Sequence, residues 1–233
     1  MKDLGELKFF LGIEFTSSEN GIHLCQRKYA LELVSELGLT DCNPSNTPLE
    51  FNHKLTSVEY DILFQPEVAE HDALLPDKGS YQRIVGRLLY LTMTRTDLAF
   101  VVQVLSQHMH APKISHMETA KRVVRYIKGT AGLGLFMPLD GDMKVTAYYD
   151  SDWGSCVETK KSVTGYVMKF GGALISWKSK KQQNSFQELR RKISNLEVWP
   201  HQVEITWLNG LFKELSLSLR LPITLFCDSK AAI

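Results

Sequence analysis

The sequence has no long apolar run, no surplus of either charge and no paired cysteine motif, and each absence removes a class of function. Without an uninterrupted apolar segment or a charged-then-apolar leader, neither a membrane span nor a secretory signal is expected. Lys+Arg 27 against Asp+Glu 26 leaves a formal charge of +1, so any nucleic-acid surface has to come from local clustering. Cys25, Cys42, Cys156 and Cys227 contain no C-x-x-C pair, which argues against a zinc ribbon or redox motif and fits buried thiols in a reducing, intracellular compartment. The 7 histidines show no H-E-x-x-H spacing, and neither G-x-x-x-x-G-K-[ST] nor G-x-S-x-G occurs, so no small-molecule substrate is evident. Hydrophobic content of 44% with 10% aromatics is too rich for a disordered chain.

The pattern predicts an α+β chain. Leu7 to Phe15 reads as a strand, Glu19-Asn20-Gly21 as a turn and Ile22 to Cys25 as the returning strand. Arg27 to Leu37 has helical spacing, with Ala30, Leu31, Val34 and Leu37 on one face and Gly38 as its stop. The span from Asn43 to Ser80 is weakly patterned, interrupted by Pro44, Pro48, Pro66 and Pro76. Helical periodicity returns over Tyr81 to Met93, Asp97 to Met109 and Ser115 to Gly129, the last with Ser115 and Glu118 in capping-box spacing. Its polar stripe, Lys121, Arg122, Arg125 and Lys128, is read as a solvated face or as a contact with nucleic-acid phosphates.

After Gly132 the texture changes. Gly132 to Met137, Val145 to Asp150, Ser162 to Phe170 and Leu174 to Lys178 read as strands, Val203 to Leu215 as a helix and Pro222 to Ser229 as a closing strand. Two strands run from apolar residues into a carboxylate, at Asp150 and Asp228. Paired in parallel, they would deliver both to one sheet end, where two carboxylates are the minimum for holding Mg²⁺. Trp177 with Lys178, Lys180 and Lys181 suits either stacking on a nucleic-acid strand or a core tryptophan beside a lysine-guarded edge.

Phe10-Leu11-Gly12-Ile13-Glu14, Val85-Gly86-Arg87-Leu88-Leu89-Tyr90-Leu91-Thr92, Arg125-Tyr126-Ile127-Lys128-Gly129-Thr130, Tyr149-Asp150-Ser151-Asp152-Trp153, Ile175-Ser176-Trp177-Lys178 and Cys227-Asp228-Ser229-Lys230 together resemble the copia-type retrotransposon Pol polyprotein, where reverse transcriptase meets ribonuclease H. The resemblance implies a C-terminal reverse-transcriptase segment over 1–131, a primer-grip hairpin with thumb and connection helices, and an incomplete ribonuclease H-like mixed sheet over 132–233. It places the polymerase aspartates upstream of Met1 and implies an RNA–DNA hybrid as partner.

In that family four carboxylates, in the order Asp, Glu, Asp, Asp, hold two Mg²⁺ ions that hydrolyse the RNA strand; Asp150 matches the first and Asp228 the third. Asp152 is expected to face away, on the reading that the strand loses its alternation there. The family's Glu helix has no counterpart: residues 185–203 match nothing, Ser194 stands in register with the Glu, and Glu204-Ile205-Thr206-Trp207-Leu208 resumes the pattern. Compensating shifts of reading frame produce such a block. The fourth carboxylate is expected beyond Ile233. The resemblance therefore implies an ancestral Mg²⁺-dependent hybrid nuclease, inactive in this chain, with a nucleic-acid-binding remnant or a pseudogene product as the alternatives. Loss of the Glu helix is also expected to bare one apolar face of the sheet, an aggregation surface unless another segment covers it.

Overall fold

The computed structural model describes residues 5, 7–51, 54–139, 141–152, 156–181, 200–217 and 220–227. The chain divides into two compact units, one of residues 1–18 with 22–136 and one of 19–21 with 137–233. Helix and sheet are mixed in both.

Strands β1 (Phe9–Phe10), β2 (Ile13–Ser18), β3 (Gly21–Cys25) and β4 (Gly134–Pro138) form one sheet in that order. The single strand expected from Leu7 to Phe15 is instead broken, because Leu11 (φ 48°) and Gly12 (φ 71°) both take left-handed backbone. That conformation costs a leucine energy. Tyr90 holds the turn by donating its hydroxyl to the Leu11 carbonyl. At Gly134 a Cβ would come within 2.0 Å of the Leu24 carbonyl oxygen, so the approach of β4 to β3 requires glycine.

Helices α1 (Arg27–Glu36), α4 (Lys78–Leu91), α5 (Ala99–Ser106) and α6 (Ile114–Gly129) bury one continuous apolar cluster. In α1 the inward positions are Ala30, Leu33 and Val34, while Leu31, expected inside, is exposed. Gly38 (φ 63°) follows the helix as its spacing predicted. Helix α4 begins at Lys78, three residues before the expected Tyr81, because the Asp77 carboxylate accepts from the Gly79 amide at 2.9 Å. A short 3₁₀ turn, Thr96–Leu98, leads into α5. Beside it the buried Arg95 guanidinium donates to Asp97 at 2.7 Å and to the Thr130 carbonyl at 3.0 Å, tying the turn to the end of α6.

The weakly patterned region contains α2 (Val58–Phe64) and α3 (Pro66–His71). Ser57 caps α2 by accepting from the Tyr60 amide at 3.2 Å. Pro66 opens α3 at its first turn, where no amide donor is needed, so this proline starts a helix rather than interrupting one.

The second unit contains β5 (Lys144–Asp152), β6 (Val163–Phe170), β7 (Ala173–Lys181), α7 (Pro200–Glu214) and β8 (Arg220–Cys227). Its sheet runs β7-β6-β5-β8, antiparallel except for the parallel β5–β8 pair. Val145, Ala147 and Met168 pack with Leu208 and Phe212 of α7. The segment that covers this face is α7, whose first residue is Pro200, again where proline is tolerated. Exposed aromatics lie on the opposite face, where Tyr148 and Phe226 stack with ring centroids 5.2 Å apart.

Candidate metal site and basic surface

Alternation along β5 decides where its carboxylate sits. Val145 and Ala147 point under α7, so Thr146, Tyr148 and Asp150 belong to the other face, and Asp150 is exposed. On β8 the parallel register sets Thr224 opposite Thr146, Phe226 opposite Tyr148 and Cys227 opposite Tyr149. Asp228, the second proposed ligand, lies outside the described residues, one peptide bond beyond Cys227. The expected parallel pairing of the two acid-ended strands is therefore present up to the residue before it. Asp152 differs from expectation: the β5–β6 ladder continues unbroken through Asp150↔Gly165, Ser151↔Thr164 and Asp152↔Val163. The backbone pairing stays regular to the end of the strand. Among the described residues no three His, Cys, Asp or Glu side chains gather as metal ligands. The Glu188, Ser194 and Glu197 positions lie outside them.

The basic stripe of α6 is engaged by its own chain. Lys121 pairs with Glu118 at 2.9 Å, and Arg122 donates to Glu50 at 2.7 Å and to the Thr47 hydroxyl at 3.2 Å. Lys128 donates to the carbonyls of Thr40 and Cys42, both at 2.6 Å. Arg125 lines a cleft of about 200 Å³ with Leu49, Glu50, Ser115, Glu118, Thr119 and Arg122. Arg122 and Lys128 thus fasten the 40–50 loop to the helix, while Lys121 pairs along the helix on its exposed side.

The third group is divided by the sheet. Trp177 is opposite Val167, which is opposite Tyr148, whereas Lys178 is opposite Tyr166 and Lys180 opposite Thr164. Tyr166 packs with the α7 core, so Lys178 and Lys180 lie on the α7 side and Trp177 on the other. Lys169 shares the Tyr148 face, its ammonium 5.8 Å from that ring centroid.

Sequence reading missed a buried polar cluster where α2 and α3 meet α6. The Lys113 ammonium pairs with Asp61 and, at 2.9 Å, with Asp72, while the Thr56 hydroxyl donates to Asp61 at 2.6 Å. Burial alone would lower the lysine pKa, but hydrogen bonds and charge from Asp61 and Asp72 outweigh it and raise it. Asp72 is likewise opposed by burial, yet its bonds to Ser115 and Lys113 bring its pKa below the usual value. His116 replaces the expected Ser115–Glu118 capping box: its Nδ1 accepts from the Lys113 amide at 3.1 Å, and its Nε2 lies 3.1 Å from the Thr56 carbonyl. Burial, then the neighbouring His108 and Lys113 charges, push its pKa down to about 3. The only signal in the sequence was a lysine and histidine at the start of a helix, too common to single out.

Comparison with known proteins completes the picture. Residues 1–51 match the family model described as reverse transcriptase (RNA-dependent DNA polymerase). An uncharacterized mitochondrial protein of Arabidopsis thaliana is 37% identical over 184 residues, 78% of this chain and 70% of that protein. A retrovirus-related Pol polyprotein from transposon RE2 of the same plant is 34% identical across 100% of this chain. A retrovirus-related Pol polyprotein from a tobacco (Nicotiana tabacum) transposon is 30% identical, also across 100% of it. The chain spans only 15% and 17% of those two polyproteins. No solved structure matches it. With similarity running through both units, this chain belongs to the copia-type retrotransposon Pol polyprotein family.

Proposed function

We propose that this chain is the Pol segment that follows the polymerase centre: β1 to β3 as the primer-end hairpin, α1 to α6 as thumb and connection, and the β7-β6-β5-β8 sheet with α7 as a ribonuclease H-like core. Its partner is an RNA–DNA hybrid. The observation that supports this reading is the parallel β5–β8 ladder, which sets Tyr149 opposite Cys227, each the residue before an aspartate in the sequence.

Two adjacent carboxylates suit Mg²⁺, a hard cation that takes oxygen ligands and keeps several waters. Asp150 and Asp228 would hold it, and the ion would supply charge stabilisation at a phosphodiester under attack. Asp150 is exposed near the end of β5. The family's Glu is replaced by Ser194. A serine hydroxyl brings no negative charge, so the pair retains a metal-binding role without the third carboxylate that orients water for attack. This chain consequently binds hybrid without cutting it, and the same replacement favours a nucleic-acid-binding remnant over an active nuclease. Calorimetric titration with Mg²⁺ tests the pairing: Asp150→Asn weakens binding about tenfold or more, roughly 1.4 kcal/mol. Unchanged affinity in that variant would remove Asp150 from the site.

A further inference from the structure

The cleft between the 47–50 loop and α6 contains a positive charge, on Arg125, that no carboxylate among the described residues answers. Of its charged lining residues, Glu50 pairs with Arg122 and Glu118 with Lys121, while among the described residues no carboxylate pairs with Arg125. The Nε atoms of Arg122 and Arg125 are buried, and neither has an acceptor among the described residues. A buried donor without a partner costs about 1–3 kcal/mol, and native proteins keep few of them unless a water or an ion completes the set. Two such donors, three residues apart on α6, line the same cleft.

Size narrows the class of occupant. About 200 Å³ is below the roughly 300–1,000 Å³ of pockets that enclose drug-sized ligands, so the cleft suits a small group better than an enclosed nucleoside. A single tetrahedral oxyanion does, and the planar guanidinium fork matches phosphate oxygens two at a time. Carboxylates in the lining argue against a more highly charged group, since among the described lining residues Arg125 alone has no paired carboxylate.

We propose that this cleft is a phosphate subsite, with Arg125 as its principal donor and Arg122 Nε as the second. The phosphate is a phosphodiester of bound nucleic acid; a free inorganic phosphate has the same chemistry. The site does not depend on the metal reading of the sheet end, and only the source of the phosphate rests on the proposed hybrid partner.

The ¹H–¹⁵N signals of arginine Nε in the intact chain test it, with Arg125→Gln and Arg122→Gln assigning the two resonances. Inorganic phosphate, compared with chloride at equal ionic strength, should shift both signals saturably. A short RNA–DNA hybrid should do so at about tenfold lower concentration, as expected for a contact within a larger polyanion interface. Arg125→Gln should abolish the phosphate-dependent shift of Arg122, and Arg125→Lys should restore part of it. Shifts with phosphate but not with hybrid would keep the anion site and overturn the nucleic-acid source. No shift of either Nε signal with either ligand would overturn the site.

Discussion

Replacing Lys113 by methionine should destabilise the first unit by about 3–5 kcal/mol, the usual cost of removing one partner from a buried ion pair. Both Lys113 and Asp61 are almost fully buried, at 2% and 1% side-chain exposure, so water cannot replace the lost ammonium. Asp61 would keep the Thr56 hydroxyl at 2.6 Å, and Asp72 its bonds to Ser115, but neither would keep a countercharge. The damage should spread to the segment the lysine fastens, because Leu74 bridges to Lys113 and the Leu75 amide donates to the Pro112 carbonyl at 2.8 Å. The units need separate probes, since a two-unit chain need not unfold in one step. All 4 tryptophans, at 153, 177, 199 and 207, fall in the second unit, whereas most described helix is in the first. Far-ultraviolet dichroism should therefore show an early urea transition in Lys113→Met while tryptophan fluorescence stays at its wild-type midpoint. Combining Lys113→Met with Asp61→Leu should cost less than the two changes summed, because the second removes the carboxylate stranded by the first. Additive losses would mean that the two side chains do not act as a pair.

Acid should weaken the same unit through His116. Its neutral tautomer is fixed by geometry: Nδ1 accepts from the Lys113 amide, so the proton sits on Nε2 and is donated to the Thr56 carbonyl. A second proton would have to go on Nδ1, facing an amide donor and close to the Lys113 charge. The groups around the ring are Tyr81, with centroids 6.4 Å apart, His108 at 4.1 Å, Lys113, Asp72 and the Thr56 carbonyl. With a folded pKa of about 3 against 6.5 unfolded, the unfolded chain binds the extra proton first as pH falls. Stability therefore drops from about pH 6 towards pH 3, with a slope of about 1.4 kcal/mol per pH unit. Asp72 and Asp97, whose pKa values are lowered, contribute stability above the ordinary carboxylate range and lose it only as pH falls through their folded values. His116→Asn keeps an acceptor for the Lys113 amide and removes the titration, so its stability should be flat between about pH 6 and 4. A wild-type slope retained in that variant would assign the acid response elsewhere.

Elements that bury apolar side chains at regular spacing were legible in the sequence. Val123, Val124 and Ile127 mark α6, and the alternation of Val145, Ala147 and Tyr149 marks β5. The parallel pairing that a shared site for the two acid-ended strands required is present between β5 and β8, with β8 at the edge of the described sheet. The 55–75 segment was not legible. It is held by Asp61, Asp72, Lys113 and Thr56 rather than by an apolar stripe, and such partners lie up to 57 residues apart. Leu11 was missed because a left-handed leucine leaves no mark in a hydrophobic pattern. Grouping Trp177 with Lys178 and Lys180 used nearness along the chain, which in a strand places alternate residues on opposite faces. Of the metal pair, Asp150 was placed by its strand, whereas Asp228 lies outside the described residues.

Cleavage of a labelled RNA–DNA hybrid in Mg²⁺, compared between this chain and its Asp150→Asn variant, tests the central claim most directly. The account predicts that both bind the hybrid and that neither releases RNA fragments above the metal-free background. Cleavage by this chain that Asp150→Asn abolishes would contradict it, and would mean that a carboxylate other than the missing Glu completes the site.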